Sequence, residues 1–393
     1  MKALRRLTLL AILLALATIA PAQDAATLRE PTAEPVGEPG LQYHYYEANV
    51  DTTLDLALHE PARAGVSDGF TLPDDVRRDY FGLEFWGAIE VPSDGAYTFY
   101  TRSDDGSRLY IGDEYVVKND YPHGATEVSG TIDLKAGRHP ITVTYFESYV
   151  DETLSVSWEG PGLGKASIPA EVLTQHPRID IVPPDALTTT ELTWPERDIR
   201  LTLEVDTRDA VDLAEFHEVL PELLQAEYPK IVDIIGTDDS PLPESVRFSF
   251  RPGIDVPAYA GRGIVMSADW FSKNANDLGC ALHELTHIVQ QYPGFEGKPG
   301  WLVEGIADYV RHKIGLDDGW TIPGAYRDGW SYTNGYGVTA AFLVFVEQEY
   351  DEDLVVTMNQ SLKDKSYKPD LWKTRTEKTV DELWDDFAAR YGR

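Results

Sequence analysis

The chain has 393 residues and carries 34 Lys+Arg against 66 Asp+Glu, a formal net charge of −32, with 42% hydrophobic and 11% aromatic residues. This length buries two cores at ordinary domain size, and so acidic a surface is unsuited to nucleic-acid backbones or anionic membranes, which are bound through Lys and Arg. A lone cysteine, Cys280, can form no internal disulfide, so burial or bound metal must supply the stability.

At the N-terminus, Lys2, Arg5 and Arg6 precede an apolar run over residues 7–19, and Ala20-Pro21-Ala22 offers the small residues of a cleavage site. Residues 1–22 therefore predict a secretory signal, because the run is shorter than the roughly 20 apolar residues that span a bilayer. Release to the periplasm or the medium follows. Residues 23–40 are rich in Pro, Glu and Ala without apolar periodicity, which predicts a disordered tether. No later segment has 18 uninterrupted apolar residues.

Over residues 41–175, short β-branched and aromatic runs such as YFGLEFWGAIEV, GAYTFYTRS and SRLYIGDEYVV alternate with Gly, Asp and Asn turns. That spacing predicts an all-β antiparallel sandwich. Between two of its strands lies Ser103-Asp104-Asp105-Gly106-Ser107, with Asn119-Asp120 at the end of the next. Adjacent carboxylates and an Asn are hard oxygen ligands suited to Ca²⁺ and, through it, to vicinal sugar hydroxyls; a plain Asp-Gly turn is the competing reading. The run YTFYTRSDDGSRLYIGDEYVVKNDYPHG, with LSVSWEGPG further on, resembles the anthrax protective-antigen-type domain, the PA-fourteen family. Some members of that family bind carbohydrate through an Asp-Asp pair and calcium, and others are structural or interaction modules. The resemblance implies Asp104 and Asp105 as cation ligands, with Asn119 as an accessory one.

Residues 176–197 contain four prolines and a Thr run and predict an interdomain linker. From residue 198 to 393 strand patterns (DIRLTLEVDT, VRFSFRPG, GRGIVMSADWF) give way to mostly helical periodicity, which predicts an α+β domain.

The segment ALHELTHIVQQ contains His283-Glu284-Leu285-Thr286-His287. On a helix, positions i and i+4 share a face, so both imidazoles can hold one metal ion while Glu284 borders the same opening. Two imidazoles and one further ligand leave a position on Zn²⁺ for water, whose proton Glu284 can take as general base. Leu282, Leu285, Ile288 and Val289 form the helix's apolar stripe, and Asn276 and Asp277 are available as caps. A histidine six residues on, as in HExxHxxGxxH, is excluded by Gln290 and Pro293. The third ligand is sought instead in WLVEGIADYVRHKIG, a second helix stopped by Gly315, where Glu304 and Asp308 are spaced i and i+4. Glu304 can complete the metal shell while Asp308 accepts an imidazole N–H, although the two roles could be divided differently. Gly305 is expected where another element approaches closely.

HELTHIVQQYPG, PGWLVEGIADYVRHKIG, TNGYGVTAAFLVFVE and KTVDELWDDF together resemble the plant basic secretory protein family and its bacterial relatives, over roughly residues 198–393. That resemblance implies a zincin-type metallopeptidase domain, with His283, Glu284 and His287 as its HExxH and Glu304 through Asp308 as its acidic segment. The strong negative charge departs from the family's name, so no charge preference for substrate is carried over. Tyr332 and Tyr336 are candidates to donate to the oxyanion of a scissile carbonyl, and the GRGIVMSADWF strand to pair with extended substrate. His123, His139, His217 and His312 are taken as structural.

The expectation is a secreted or periplasmic zinc peptidase, with calcium as a candidate ion in its sandwich, protein or peptide as substrate and surface glycans as a further partner. The alternative is a non-catalytic carbohydrate-binding or adhesion protein on a peptidase-like scaffold. A glycosidase would need two carboxylates flanking a sugar cleft, and Asp104 and Asp105 are adjacent on one turn.

Overall fold

A computed structural model of the protein describes residues 28–32, 37–181, 185–236 and 241–392. The secretory signal predicted over residues 1–22 lies outside the described residues. The chain divides into two compact units, Met1–Ile181 and Val182–Arg393.

The first unit is built from β1 (Leu41–Tyr46), β2 (Arg63–Ser67), β3 (Phe81–Val91), β4 (Gly95–Asp104), β5 (Ser107–Ile111), β6 (Glu114–Asn119), β7 (Thr126–Leu134), β8 (Gly137–Glu147), β9 (Thr153–Gly160), β10 (Leu163–Ser167) and β11 (Leu173–Thr174). One sheet has the order β2-β1-β3-β8-β5-β6, with β11 also on β3, and the other has β10-β9-β4-β7. Every pairing is antiparallel. The strand β4 shows the two-residue rhythm of a sheet with one wet face, burying Tyr97 and Phe99 against Trp158 of β9. In contrast β3 and β8 are buried almost throughout, because a second small cluster of Tyr46, Ala48, Val50, Leu56 and Phe146 covers part of their outer face.

The expected tether is in part docked. Arg29 N–H donates to Asp133 O at 2.8 Å, Lys135 N–H returns to Arg29 O at 3.0 Å, and Thr32 N–H reaches Arg138 O at 2.9 Å; Arg29 also pairs with Asp113, and Lys135 with Glu30. A polar composition says nothing about backbone groups, and those of residues 29–32 find partners beside the β7–β8 turn.

The second unit comprises β12 (Leu187–Trp194), β13 (Ile199–Asp206), α1 (Phe216–Ile235), β14 (Ser245–Arg251), β15 (Ala258–Ala260), β16 (Ile264–Ser267), α2 (Ala268–Phe271), α3 (Leu278–Gln290), α4 (Gly300–Ile314), α5 (Tyr336–Glu349), α6 (Leu354–Lys363), α7 (Asp370–Thr376) and α8 (Val380–Tyr391). Its sheet runs β12-β13-β14-β16-β15, parallel from β13 through β14 to β16 and antiparallel at both edges. The predicted linker over 176–197 is corrected here: residues 187–194 are the edge strand β12, with Leu192 and Trp194 in the core. The prolines bracket a β-branched run that has a hairpin partner in β13, and pairing overrides the linker-like composition.

The helices α3 and α4 both bury one stripe, through Leu282, Leu285 and Val289 on α3 and Leu302, Ile306 and Val310 on α4. Gly315 ends α4 with φ 70°, and its N–H caps Arg311 O. Gly305 lies where α4 meets α5: a Cβ there would be 2.2 Å from Thr339 Cγ2.

Candidate functional site

Both helices bring their polar residues to one cleft of about 580 Å³. His283 Nε2 and His287 Nε2 are 3.2 Å apart, and Glu304 Oε2 lies 3.3 and 3.4 Å from them. The opposite ring nitrogens are fixed: His283 Nδ1 lies 2.6 Å from Asp308 Oδ1, and His287 Nδ1 2.7 Å from Gln290 Oε1. A carboxylate or an amide oxygen can only accept, so each Nδ1 donates to its partner, and each Nε2 is the nitrogen whose lone pair would face inward once its proton is displaced. Two lone pairs and a carboxylate oxygen converging at this spacing match the ligand separations of a four-coordinate ion with bonds of about 2.0–2.2 Å. Without an ion, burial opposes the charged form of His283, but its bonds to Asp308 and Glu304 outweigh that and push its pKa up to about 9. Burial would raise Glu304, yet the two imidazoles hold it down at about 2.

Glu284 is buried beside this triad, and burial raises its pKa against the lowering effect of His283 and His287. The Ala260 N–H donates to its carboxylate. This contact identifies the strand that lines the cleft, and it is not the expected one. Of GRGIVMSADWF only Ile264–Ser267 is strand, β16, which is paired on both sides, and Ala268–Phe271 is α2, whereas β15 is the free edge. Pro257 O accepts from Ser267 N–H and Gly261 N–H donates to Gly263 O, both on the β16 side. By strand alternation the backbone groups of Ala258 and Ala260 face the cleft.

Of the two tyrosines, Tyr336 lies in the cleft wall, 58% exposed, with its ring stacked 6.0 Å from that of His283. Its backbone has φ 49°, a left-handed conformation uncommon for a bulky residue. Glu304, then burial, raises its pKa, so the hydroxyl keeps its proton. Tyr332 does not join it: its hydroxyl donates to Asp381 Oδ1 at 2.8 Å and its ring packs on Trp301 and Trp384.

The caps of α3 also differ from expectation. Asp277 occupies the N-cap position without a capping bond, its carboxylate taken by Arg311 Nη2 at 2.6 Å and Trp270 Nε1 at 3.0 Å. Asp318, beyond α4, receives the Gly279 N–H at 3.0 Å instead. A local pattern cannot reveal a cap 39 residues away. Gln290 is a different case: sequence reasoning missed it, although its i+3 spacing from His287 on the same helix is a local signal. Cys280 is buried, and burial first of all pushes its thiol up to about 12, so it stays a neutral small side chain.

In the sandwich, Asp104, Asp105 and Glu147 each bring a carboxylate oxygen within 4.8 Å of the others. Asp105 accepts from His123 N–H at 2.9 Å and Ser148 N–H at 2.8 Å, and Asp104 from Ala125 N–H at 2.8 Å. Glu147 Oε1 is buried without a partner, and burial, then Asp105, raises its pKa to about 8. Glu147 ends a strand 42 residues from Asp105 in sequence, and only the β5–β8 pairing brings it there. Asn119 does not join the carboxylates. Its amide donates to Ser103 Oγ at 3.0 Å and Thr126 O at 3.1 Å, tying β6 to β4 and β7.

The four histidines taken as structural from the sequence, His123, His139, His217 and His312, lie outside the triad. His139 Nε2 is 2.8 Å from Lys135 O, His217 sits between Thr188 and Thr207, and His123 Nε2 is 3.1 Å from Asn119 O. His312, in the last turn of α4, is lowered by burial and then by Lys313.

Comparison with known proteins agrees with this division. Residues 222–387 match the family described as peptidase of plants and bacteria, and residues 37–171 match the PA14 domain. The anti-sigma-I factor RsgI3 of Acetivibrio thermocellus is 27% identical over 136 residues, 34% of this chain and 21% of its own length. The chain thus spans about a fifth of that curated relative. Among solved structures, an anti-sigma factor domain-containing protein from Clostridium clariflavum shares 23% identity over 39% of this chain and 53% of its own, with a TM-score of 0.32. The PA14 sugar-binding domain from an RTX adhesin shares 16% over 35% and 99%, at 0.32. The epithelial adhesin 6 A domain of Candida glabrata, solved with Galb1-3GlcNAc, shares 12% over 37% and 90%, at 0.31.

Proposed function

We propose that the protein is an exported zinc-dependent peptidase whose PA14-type sandwich attaches it to a glycan. The observation that carries the reading is the convergence of His283 Nε2 and His287 Nε2 on Glu304 Oε2, each imidazole oriented by its own partner at Nδ1. Zinc held by His283, His287 and Glu304 would polarise a scissile carbonyl and acidify water.

The chain's own residues supply the remainder of the chemistry. The outward backbone groups of Ala258 and the Ala260 carbonyl pair with an extended substrate and hold its peptide bond over the triad. Glu284, made more basic by burial, takes the proton from the attacking water and passes it to the leaving amine. Tyr336 Oη, protonated and on the cleft wall, donates to the oxyanion. Asp308 and Gln290 keep the imidazoles in the required tautomer throughout.

In the sandwich, the unpartnered Glu147 Oε1 beside Asp104 and Asp105 supports a cation, for which Ca²⁺ suits an all-oxygen site. Such an ion would take sugar hydroxyls in its open positions. The experiment that tests the whole reading is hydrolysis of a mixed peptide and casein panel by zinc-loaded protein beside Glu284→Gln. Cleavage that disappears in the variant while zinc is retained supports it; equal cleavage by both proteins discards it.

A further inference from the structure

We infer that the end of the cleft beyond Cys280 is a specificity pocket for an uncharged, apolar substrate side chain, and that Arg311 does not turn it into an acid-binding one. The inference rests on the peptidase reading of the same cleft and adds the class of side chain that it takes. Cys280 lies one turn before His283 on α3, and Arg311 one turn beyond Asp308 on α4, so both helices extend the floor of the cleft past the triad in the same way. Trp320 closes that end, and Val256 and Ala258 line the cleft from the strand side.

Arg311 is the one Lys or Arg among the described lining residues, and alone it would select a carboxylate. Its surroundings cancel that. Its Nη2 is shared between Asp277 Oδ1 at 2.6 Å and Asp318 Oδ2 at 2.9 Å, and its guanidinium carbon lies 4.4 Å above the Trp320 ring. Its Nε is sealed against α3, where a Cβ on Gly279 would come within 2.4 Å. The guanidinium is therefore a brace between the start of the metal helix and the loop that carries Trp320. Asp277 and Asp318 already outnumber the guanidinium they hold, Glu284, Glu304 and Asp308 add three carboxylates along the same cleft, and a bound divalent ion still leaves negative charge in excess. An acidic side chain is repelled, and a basic one at this end of the cleft finds Asp277 and Asp318 already held by Arg311. What remains is thiol, indole and aliphatic surface, which gains from desolvating an apolar side chain.

The test is to digest a peptide library with zinc-loaded protein and with Val256→Arg, a substitution at a site 48% exposed that leaves the core untouched. Leu, Met or Phe is expected about tenfold or more over Glu at one position flanking the cleaved bond. In Val256→Arg the Glu-to-Leu ratio of kcat/KM should rise about tenfold. A preference for Asp or Glu in the unaltered protein, a flat profile, or an unmoved ratio in Val256→Arg each overturns the pocket. If nothing is cleaved, anisotropy of labelled Leu and Glu peptides on Glu284→Gln separates the two ideas. Tighter binding of the Leu peptide keeps the pocket and removes the peptidase reading, whereas equal binding removes the pocket.

Discussion

His283 Nδ1 lies 2.6 Å from Asp308 Oδ1, one turn along α4 from Glu304. A single helix therefore supplies both a group that faces the candidate metal and the group that aims the imidazole opposite it. The division of roles between Glu304 and Asp308, open in the sequence, follows from which histidine nitrogen each one meets.

Removing an imidazole's partner should weaken metal binding without deleting a ligand. Asp308→Ala and Gln290→Ala are each expected to lower zinc affinity about 10–100-fold, and Glu304→Ala to lower it further. Competition titration with a chelating dye reads this directly. An Asp308 variant weaker than the Glu304 variant would reverse the two roles.

The tyrosines should separate cleanly. Tyr336→Phe is expected to reduce kcat about a hundredfold with the fold intact, since its side chain is largely exposed. Tyr332→Phe loses the Asp381 bond, which costs about 1 kcal/mol of stability while kcat stays as it was. Steady-state kinetics beside urea denaturation distinguishes them.

Gly305→Ala should destabilise the second unit by about 1–3 kcal/mol, because the added Cβ meets Thr339 Cγ2. Thr339→Ser removes that methyl and keeps the hydroxyl that donates to Tyr332 O. Combining the two should recover part of the loss, and a strictly additive double-mutant cycle would show that the helices separate instead.

Zinc binding should strengthen as pH rises. Its ligand His283 is protonated below about 9 in the metal-free protein, so binding displaces a proton and log K from this group climbs by about one per pH unit up to that point. The folded-state pKa is raised from 6.5, so the His283 contribution to metal-free stability is complete below 6.5 and is lost as pH passes about 9. The thermal stabilisation by zinc over chelator should thus widen from pH 6 to pH 9; a constant gap would contradict it.

Calcium should stabilise the sandwich through Glu147. At a concentration a hundred times its dissociation constant the expected gain is about 2.7 kcal/mol. Glu147→Gln relieves the repulsion from Asp105 and Asp104 and should be no less stable than the parent without calcium, yet gain little from it. An equal gain in both proteins would place the ion elsewhere.

The sequence by itself determined what short-range periodicity can encode. His283 and His287 share a helix face because four residues make about one turn, the i+4 pair Glu304 and Asp308 follows the same rule, and Gly315 stops α4 because it tolerates positive φ. Alternating apolar runs likewise declared the sandwich. Tertiary structure decided everything that depends on chain segments far apart meeting. It capped α3 with Asp318, placed Glu147 beside Asp104 and Asp105, made β15 rather than β16 the free edge, and drew residues 29–32 and 187–194 into backbone pairing. Those outcomes rest on hydrogen bonds and packing whose partners are set by the closed fold, and no local window of sequence contains both halves of such a contact.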